Sequence, residues 1–147
     1  MIIIGVYAPS DDADPLTKDM FFNKLTHIIS DIKHDKELFL LGDFNSRTGT
    51  ETNSPVVGQY GERSTNDNGL RLRGMCESLN LKIMNGFFPH RDIHKLTWTQ
   101  PTRQLRSIID YLIQRQNSKL KTIDVRAYRG AECGSDHHLV VSNNIYI

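Results

Sequence analysis

Three short strings in this chain place acidic side chains beside polar partners, next to or within apolar runs. Asp43 and Asn45 follow the apolar run 38–41, and Asp136 and His137 directly precede the C-terminal run 139–147. Asp110 lies inside a third run, 108–113. Hard divalent cations prefer carboxylate oxygens, and histidine exchanges protons near neutral pH. If strand ends bring these residues together, they form a candidate divalent-metal site for phosphoester chemistry.

The pleat of a β-strand predicts that the side chains of Asp43 and Asn45 lie together. Because successive side chains alternate, residues two apart project from the same side, and these two would point to one rim of a sheet. A carboxylate there can orient or deprotonate water, and a neutral amide can bind a phosphate oxygen without adding repulsion. The alternative is a plain turn, because Gly42, Asp43 and Asn45 all belong to turn-favouring residue types.

The other two carboxylates invite a pairing with histidine. Asp136 can hold His137 in one tautomer, so that the imidazole donates a hydrogen bond or acts as a general acid; beside a metal, Asp136 would instead be a ligand. A surface turn is the alternative for this pair. Asp110 needs a partner or a metal because burying a lone charge is costly, and a histidine is one candidate. The alternative for Asp110 is a carboxylate on an edge strand that faces water.

The elements that must position these residues are predicted from hydrophobic periodicity and turn signals. Helices are predicted over 15–34, after Asp14 and Pro15, and from residue 65 or 66 onward, with Leu72, Cys76 and Leu79 facing inward. Loops are predicted over 46–65 and 86–95. The predicted strands cover 2–8, 38–41, 81–84, 97–99, 107–114, 123–128 and 139–147. Helices interspersed among strands indicate an α/β (α+β) layered fold around a central sheet.

Length and charge set the broader bounds. The 147 residues suit one domain with a real core. Residues 1–59 hold 5 Lys/Arg and 9 Asp/Glu, a charge of −4, whereas residues 60–147 hold 13 and 8, a charge of +5. The basic second half is compatible with a phosphate backbone as partner. The alternative is an ordinary solvated surface with chance clustering.

Targeting signals are weak in this chain. No apolar run approaches the roughly 20 residues of a membrane span, and segment 2–8 has neither a basic flank nor a cleavage site. Cys76 lies on a predicted apolar helix face, which favours a buried thiol over half of a disulfide. We therefore predict an intracellular chain without membrane contact, with the nucleus as one option.

The order of the motifs is similar to that of the endonuclease/exonuclease/phosphatase superfamily. The matching strings are Val6-Tyr7-Ala8-Pro9, Gly42-Asp43-Phe44-Asn45, Thr97-Trp98, Ile109-Asp110-Tyr111 and Ser135-Asp136-His137. Finer strings resemble the endonuclease domain of non-LTR retrotransposons and the craniofacial development protein 2-like host proteins. These strings are 66–72, Cys76, 79–83, 94–98 and 129–133. The resemblance covers nearly the whole chain.

This resemblance implies a four-layer α/β/β/α sandwich with its site at one rim, and cleavage of a DNA phosphodiester with Mg²⁺ (or Mn²⁺). By position, Asp43 would orient or deprotonate the water and Asn45 would support it. The remaining roles follow in the same way: His137 would contact the scissile phosphate, Asp136 would bind or support the metal, Asp110 would orient His137, Tyr7 would reach the phosphate through its hydroxyl, and Trp98 would support the site.

The resemblance also has a gap. Members of the superfamily carry an N-terminal portion with an Asn or Asp and a metal-anchoring Glu, and neither can be matched here. The glutamates present lie in other contexts: Glu37, Glu51, Glu62, Glu77 and Glu132. We therefore expect residues 1–147 to form a single partial domain with weakly bound metal and weak or absent nuclease activity.

Two consequences of a partial domain are open to test. The alternative function is a non-catalytic remnant of the fold that binds nucleic acid or a protein. The strand 2–8 is apolar on both faces, with Ile2, Ile4 and Val6 on one and Ile3, Gly5 and Tyr7 on the other. A strand of this kind needs cover on both sides, so we predict a homodimer formed through exposed sheet surface.

Overall fold

The computed structural model describes residues 1–131 and 134–147 of the chain. The resemblance drawn through Glu132 and Cys133, and the reading of Glu132 as a residue outside the site, therefore lie outside the described residues.

A four-stranded sheet forms the centre of the molecule. Its strands are β1 (Ile2–Tyr7), β2 (Leu38–Asp43), β3 (Leu81–Ile83) and β6 (Asp110–Arg115), in the order β1-β2-β6-β3. The strands β1 and β2 are parallel, and β6 runs antiparallel to both β2 and β3. The register of β2 places Asp43 beside both Tyr7 and Asp110, so three of the predicted site residues lie at one end of the sheet.

Two longer helices accompany this sheet. Helix α1 (Pro15–Ser30) begins where Asp14 accepts a hydrogen bond from the Thr17 backbone, as its N-cap pattern predicts. It ends four residues before the predicted boundary at residue 34. Beyond the helix end, the Ile32 backbone N–H donates to the Ile29 carbonyl and the Ile32 carbonyl accepts a hydrogen bond from the Arg115 guanidinium of β6, so this segment is held outside the helix. Helix α2 (Asp67–Ser78) begins at Asn66, close to the predicted start.

The second half of the chain adds short elements and a second sheet. A 3₁₀ turn (Met84–Phe87) and the single-turn helix α3 (Asp92–Lys95) occupy the predicted loop 86–95. Strands β4 (Trp98–Gln100) and β5 (Leu105–Ser107) form a hairpin around a 3₁₀ turn (Pro101–Arg103). Strands β7 (Leu120–Tyr128) and β8 (Leu139–Tyr146) pair antiparallel as a separate sheet.

The prediction of one continuous strand over 107–114 is wrong, because the strand is interrupted between the end of β5 and the start of β6. The Thr97 hydroxyl accepts hydrogen bonds from the backbone N–H groups of Ile109 and Asp110, both at 3.1 Å. The Tyr111 hydroxyl donates to the Ile108 carbonyl at 2.7 Å. These side chains satisfy backbone groups that a continuous strand would pair with a neighbour, so the sheet restarts at Asp110.

The core consists of two apolar layers on either side of the central sheet. Leu38 and Leu40 face the helices, whereas Phe39 packs with Leu112 and Val125 toward the β7–β8 sheet. The layering of helices, central sheet and second sheet confirms the predicted α/β class. Cys76 is fully buried in the helix-side layer, as predicted, and burial raises the pKa of its thiol.

One face of β1 has no such cover. Ile2, Ile4 and Val6 pack against the helix-side core, but the Ile3 side chain on the opposite face remains exposed. Leu41, which lies beside Gly5 in the register, is also exposed. The β1 strand is thus covered on one side only. The predicted loop 46–65 contains no helix and no named strand, yet it packs closely, with Val56 and Val57 fully buried.

Candidate active site

A cavity of about 490 Å³ opens at the end of the central sheet where β1 and β2 finish. It is polar and lies between the rim of the sheet, the loop after β2, the start of α2 and the β4–β5 hairpin. Its lining residues are Tyr7, Asp11, Asp43, Asn45, Arg47, Ser64, Thr65, Asn66, Trp98, Ser107, Ile109 and His137. Five of the seven predicted site residues therefore line one cavity, and Asp110 and Asp136 adjoin it.

Asp43 is the last residue of β2 and its carboxylate is largely enclosed, with 13% of the side chain exposed. Burial raises the pKa of this carboxyl, and the nearby charges of Asp110 and Asp136 raise it further, against the opposing effects of the Asn45 backbone N–H and His137. Gly42 precedes it at a φ of +144°, where a side chain would overlap the Val6 carbonyl of β1. Only glycine allows this close approach, which sets Asp43 at the rim.

The pleat argument for Asn45 is wrong, although Asn45 does line the cavity with Asp43. The strand ends at Asp43, and Asn45 adopts a left-handed φ of +46°. Its backbone N–H donates to the Asp43 carboxylate at 2.8 Å, and its side-chain amide donates to the Ala8 carbonyl at 2.9 Å. The turn alternative therefore holds for the backbone, and this turn is what brings the amide back over the end of β1.

Asp110 and His137 form a tight pair at the back of the cavity. His137 Nδ1 lies 3.0 Å from Asp110 Oδ2 and 3.1 Å from Asp110 Oδ1. Its other ring nitrogen, Nε2, lies 3.9 Å from Asp43 Oδ2. The Asp110 side chain is 16% exposed, so the alternative of a carboxylate facing water from an edge strand is wrong. The imidazole lies between two carboxylates.

Segment 136–138 reaches this position by adding a short bridge to β4. The His138 backbone N–H donates to the Thr97 carbonyl at 2.7 Å, and the Thr99 backbone N–H donates to the Asp136 carbonyl at 3.0 Å. An antiparallel bridge pairs Trp98 with His137. Since β4 fixes this segment, neighbouring side chains point to opposite sides: His137 lines the cavity, whereas His138 Nε2 contacts the Thr99 hydroxyl at 3.1 Å.

Asp136 and Trp98 meet at the mouth of the cavity. The indole N–H of Trp98 donates to Asp136 Oδ2 at 2.8 Å, and Asp136 is exposed to solvent. Tyr7, which also lines the cavity, is 80% exposed.

A divalent cation fits the donor chemistry of this site. One ligand atom from each of Asp43, Asp110 and His137 can be chosen so that all three lie within 4.8 Å of one another. The two carboxylates suit Mg²⁺ or Mn²⁺, which prefer oxygen ligands and commonly retain water in their coordination sphere. Both Asp110 oxygens already lie within hydrogen-bond distance of His137, so few carboxylate oxygens remain free to bind a cation. Asp136, the predicted metal ligand, adjoins the set without belonging to it.

Two further residues of the site carry no signal in the sequence. Arg47 lines the cavity two residues after Asn45, within a loop that has no periodicity. Glu62, predicted only as a loop residue, accepts hydrogen bonds from the Ser107 hydroxyl at 2.6 Å and the Ile108 backbone N–H at 3.0 Å. Arg47 and Glu62 reach the site only through the folding of the loop 46–65 against β5 and β6.

Comparison with known proteins identifies the family of this chain. The model of the family described as endonuclease-reverse transcriptase matches residues 1–141. The chain belongs to this family. Craniofacial development protein 2 from Bos taurus is 32% identical over 142 residues, which cover 97% of this chain and 24% of that protein. The chain thus spans about a quarter of the length of the curated relatives it matches.

Solved structures share the fold. A 3′ phosphatase, NExo, from Neisseria, bound to product DNA hairpin, superposes with a TM-score of 0.66 at 22% identity, covering 98% of this chain and 61% of that one. The endonuclease domain of TRAS1, a telomere-specific non-LTR retrotransposon, gives a TM-score of 0.62 at 19% identity, covering 95% and 54%. The predicted resemblance to the endonuclease/exonuclease/phosphatase fold and to retrotransposon endonuclease domains is confirmed.

No helix within residues 1–131 and 134–147 has the length and apolar character needed to cross a bilayer.

Proposed function

We propose that this chain is a divalent-metal-dependent phosphodiesterase that acts on DNA. The observation that carries the proposal is the convergence of Asp43, Asp110 and His137 at one polar cavity of about 490 Å³, which Asp43 and His137 line. Membership of the endonuclease-reverse transcriptase family supports a nuclease, and the likeness to a phosphatase bound to a DNA hairpin supports DNA as the substrate.

In this proposal, His137 moves or shares a proton at Nε2. Its Nδ1–H donates to Asp110, so that the neutral ring presents Nε2 as an acceptor and the protonated ring presents it as a donor to a phosphate oxygen. Asp43 lies 3.9 Å from Nε2, close enough for a water between them to contact both groups. Asn45 and Tyr7 then bind the non-bridging oxygens from the rim.

Asp43 and Asp110, with Asp136 at the mouth, would hold the Mg²⁺ or Mn²⁺ ion. Bound there, the ion would stabilise negative charge on the phosphate and increase the acidity of water. Because Asp110 is already engaged by His137, few carboxylate oxygens are free, and we infer weak metal binding and slow turnover. The same small donor set favours the second candidate, a remnant that binds nucleic acid without cleaving it.

Nicking of supercoiled plasmid DNA in Mg²⁺, Mn²⁺ or EDTA tests this function. We expect slow nicking that requires the metal and is lost in Asp43→Asn. The matched control is Asp124→Asn, since Asp124 also accepts a hydrogen bond from a histidine, His90, at 2.7 Å but does not line the cavity. Retained DNA binding without any nicking would instead support the remnant, and nicking that persists in EDTA would overturn metal dependence.

Two finer proposals accompany the function. A DNA substrate favours a nuclear location, which imaging of the tagged chain would test. The exposed sheet face formed by Ile3 of β1 and Leu41 of β2 supports a homodimer formed through this surface.

A further inference from the structure

The string Asn66-Asp67-Asn68-Gly69 at the start of α2 holds the backbone of Arg47 by hydrogen bonds and close packing. The Asn66 side-chain oxygen accepts hydrogen bonds from the backbone N–H groups of Arg47 and Gly69, both at 2.8 Å. The Asn66 backbone N–H donates in return to the Arg47 carbonyl at 3.1 Å. A Cβ at position 69 would overlap that carbonyl oxygen, so glycine is required there. The start of α2 therefore fixes the position of the Arg47 backbone.

The same string also holds the turn that carries Asn45. The side-chain amides of Asn66 and Asn68 both donate to the Asn45 carbonyl, at 3.1 and 3.2 Å. Asn68 is fully buried, and its amide donates to the Pro9 carbonyl as well, at 2.9 Å. The end of β1, the Asn45 turn and Arg47 are thus joined through one helix terminus.

Arg47 is the one Lys or Arg among the lining residues of the cavity. Its Nε lies 3.8 Å from Glu62 Oε1, and 36% of the side chain is exposed. Within the described part of the chain, its terminal amino groups donate no hydrogen bond to protein. Glu62 is held in turn by Ser107 and Ile108, so the carboxylate orients the guanidinium and leaves its terminal amino groups available.

The acidic residues around the cavity explain why a cationic side chain such as Arg47 is needed there. Asp11 and Asp43 line it, and Asp110 and Asp136 adjoin it, so a phosphate entering the site meets several negative groups. A guanidinium presents a planar fork of donors that matches two phosphate oxygens and stays charged at any physiological pH. Arg47 supplies this complement beside Glu62, which the Ser107 hydroxyl of β5 holds by a hydrogen bond.

We propose that Arg47 is a phosphate-binding residue of the cavity and that Asn66, Gly69 and Glu62 are its positioning residues. The ligand is the phosphodiester backbone of a nucleic acid, an assignment that rests on the proposed function. Arg47 holds a phosphate oxygen by charge-assisted hydrogen bonds, independently of a metal and before any bond is broken.

Binding of a short fluorescent DNA duplex in EDTA tests this assignment without cleavage. We expect Arg47→Gln to weaken binding about tenfold, the value of a hydrogen bond to a charged group, and to lower the slope of log Kd against log salt by about one. Arg47→Lys keeps the charge and should keep most of the slope. Arg63→Gln is the matched control, because Arg63 is exposed in the same loop but does not line the cavity.

A second arm locates the phosphate. When the contacted phosphate is replaced by a neutral methylphosphonate, wild type and Arg47→Gln should bind the duplex equally, although they differ on every other duplex. The difference between wild type and Arg63→Gln should not depend on the position of the methylphosphonate. Circular dichroism confirms that each variant is folded. If the duplex binds wild type and Arg47→Gln loses no more affinity than Arg63→Gln, the role of Arg47 is overturned while the nuclease proposal stands.

An NMR titration with inorganic phosphate separates the two proposals. We expect the Arg47 Nε–H resonance to shift on titration, even if the chain binds no duplex. Absence of duplex binding would overturn the proposed DNA substrate, and absence of a shift at Arg47 would overturn the phosphate subsite.

Discussion

At the scale of single residues, the site depends on one imidazole held between two carboxylates. Asp110 fixes His137 through Nδ1 and leaves Nε2 directed at Asp43 and the cavity. If His137 transfers or donates a proton, its tautomer must be correct at the moment of reaction. The Asp110 carboxylate enforces that tautomer, because it can only accept a hydrogen bond.

We therefore predict that Asp110→Asn lowers kcat for phosphodiester cleavage by about 100-fold, near the lower end of general acid–base effects. The amide has nearly the same shape but can donate a hydrogen bond to the ring, which favours the wrong tautomer. Nicking rates at saturating metal measure the effect. Asp124→Asn removes the equivalent partner of His90 outside the cavity, and equal losses in both variants would show that the effect is only structural.

Asp43 carries a cost in stability that its substitution should reveal. Burial raises the pKa of this carboxyl from its ordinary value of 3.8, with a further rise from Asp110 and Asp136. Because the folded chain then binds the proton more tightly than the unfolded chain, the free energy of unfolding falls as pH rises from about 3.8 through the folded pKa. Above that window, the ionised group destabilises the fold.

We accordingly predict that Asp43→Asn is more stable than wild type at pH 7 in EDTA, although it is inactive. The difference in Tm should grow as pH rises from 3.8 to the pKa of Asp43 in the folded chain, and it should stay constant at higher pH. Thermal unfolding at a series of pH values measures this difference. A difference that does not change with pH would contradict the raised pKa.

At the scale of elements, the start of α2 fixes the loop that follows β2. Gly69 lies against the Arg47 carbonyl, where a methyl group has no space, whereas a methyl group at Gly74 of the same helix meets no atom within 4 Å. The two glycines therefore separate the effect of the loop contact from that of helix propensity.

We predict that Gly69→Ala lowers the free energy of unfolding by about 1–3 kcal/mol, the usual cost of overpacking. Gly74→Ala should raise it by up to about 1 kcal/mol, because alanine favours the helix. Urea denaturation measures both changes. In the duplex-binding assay, Gly69→Ala should also lose part of the salt slope that depends on Arg47, whereas a stable Gly69→Ala with wild-type binding would show that the loop is held by other contacts.

The elements also mark how far sequence patterns reach. Hydrophobic periodicity and caps predict α1, α2, β1 and β2, because each packs a regular apolar face against the core. Periodicity could not locate the left-handed turn at Asn45 or the break before Asp110, since distant side-chain hydrogen bonds from Asn66 and to Thr97 stabilise them. Arg47 and Glu62 were missed for the same reason: their roles follow from the tertiary folding of a loop.

At the scale of the whole molecule, the layers cover the central sheet unevenly. Ile2, Ile4 and Val6 on one face pack against the helix-side core. On the other face, the β7–β8 sheet packs on Phe39 and Leu112 and leaves Ile3 and Leu41 exposed. Exposed apolar surface of this kind favours association, and a twofold axis lets the same face on two copies bury itself.

We predict that the chain forms a dimer at micromolar concentration through this face and that Ile3→Glu shifts it to monomer. The substitution places a charge where the partner copy would pack. Because the Ile3 side chain is already 56% exposed, the Tm at low concentration should stay close to wild type. Leu16→Glu is the control, because Leu16 is 68% exposed on α1, away from the sheet face. Sedimentation equilibrium measures the mass. A wild-type chain that stays at one chain mass across the concentration range would show that the exposed face of β1 is stable in water without a partner.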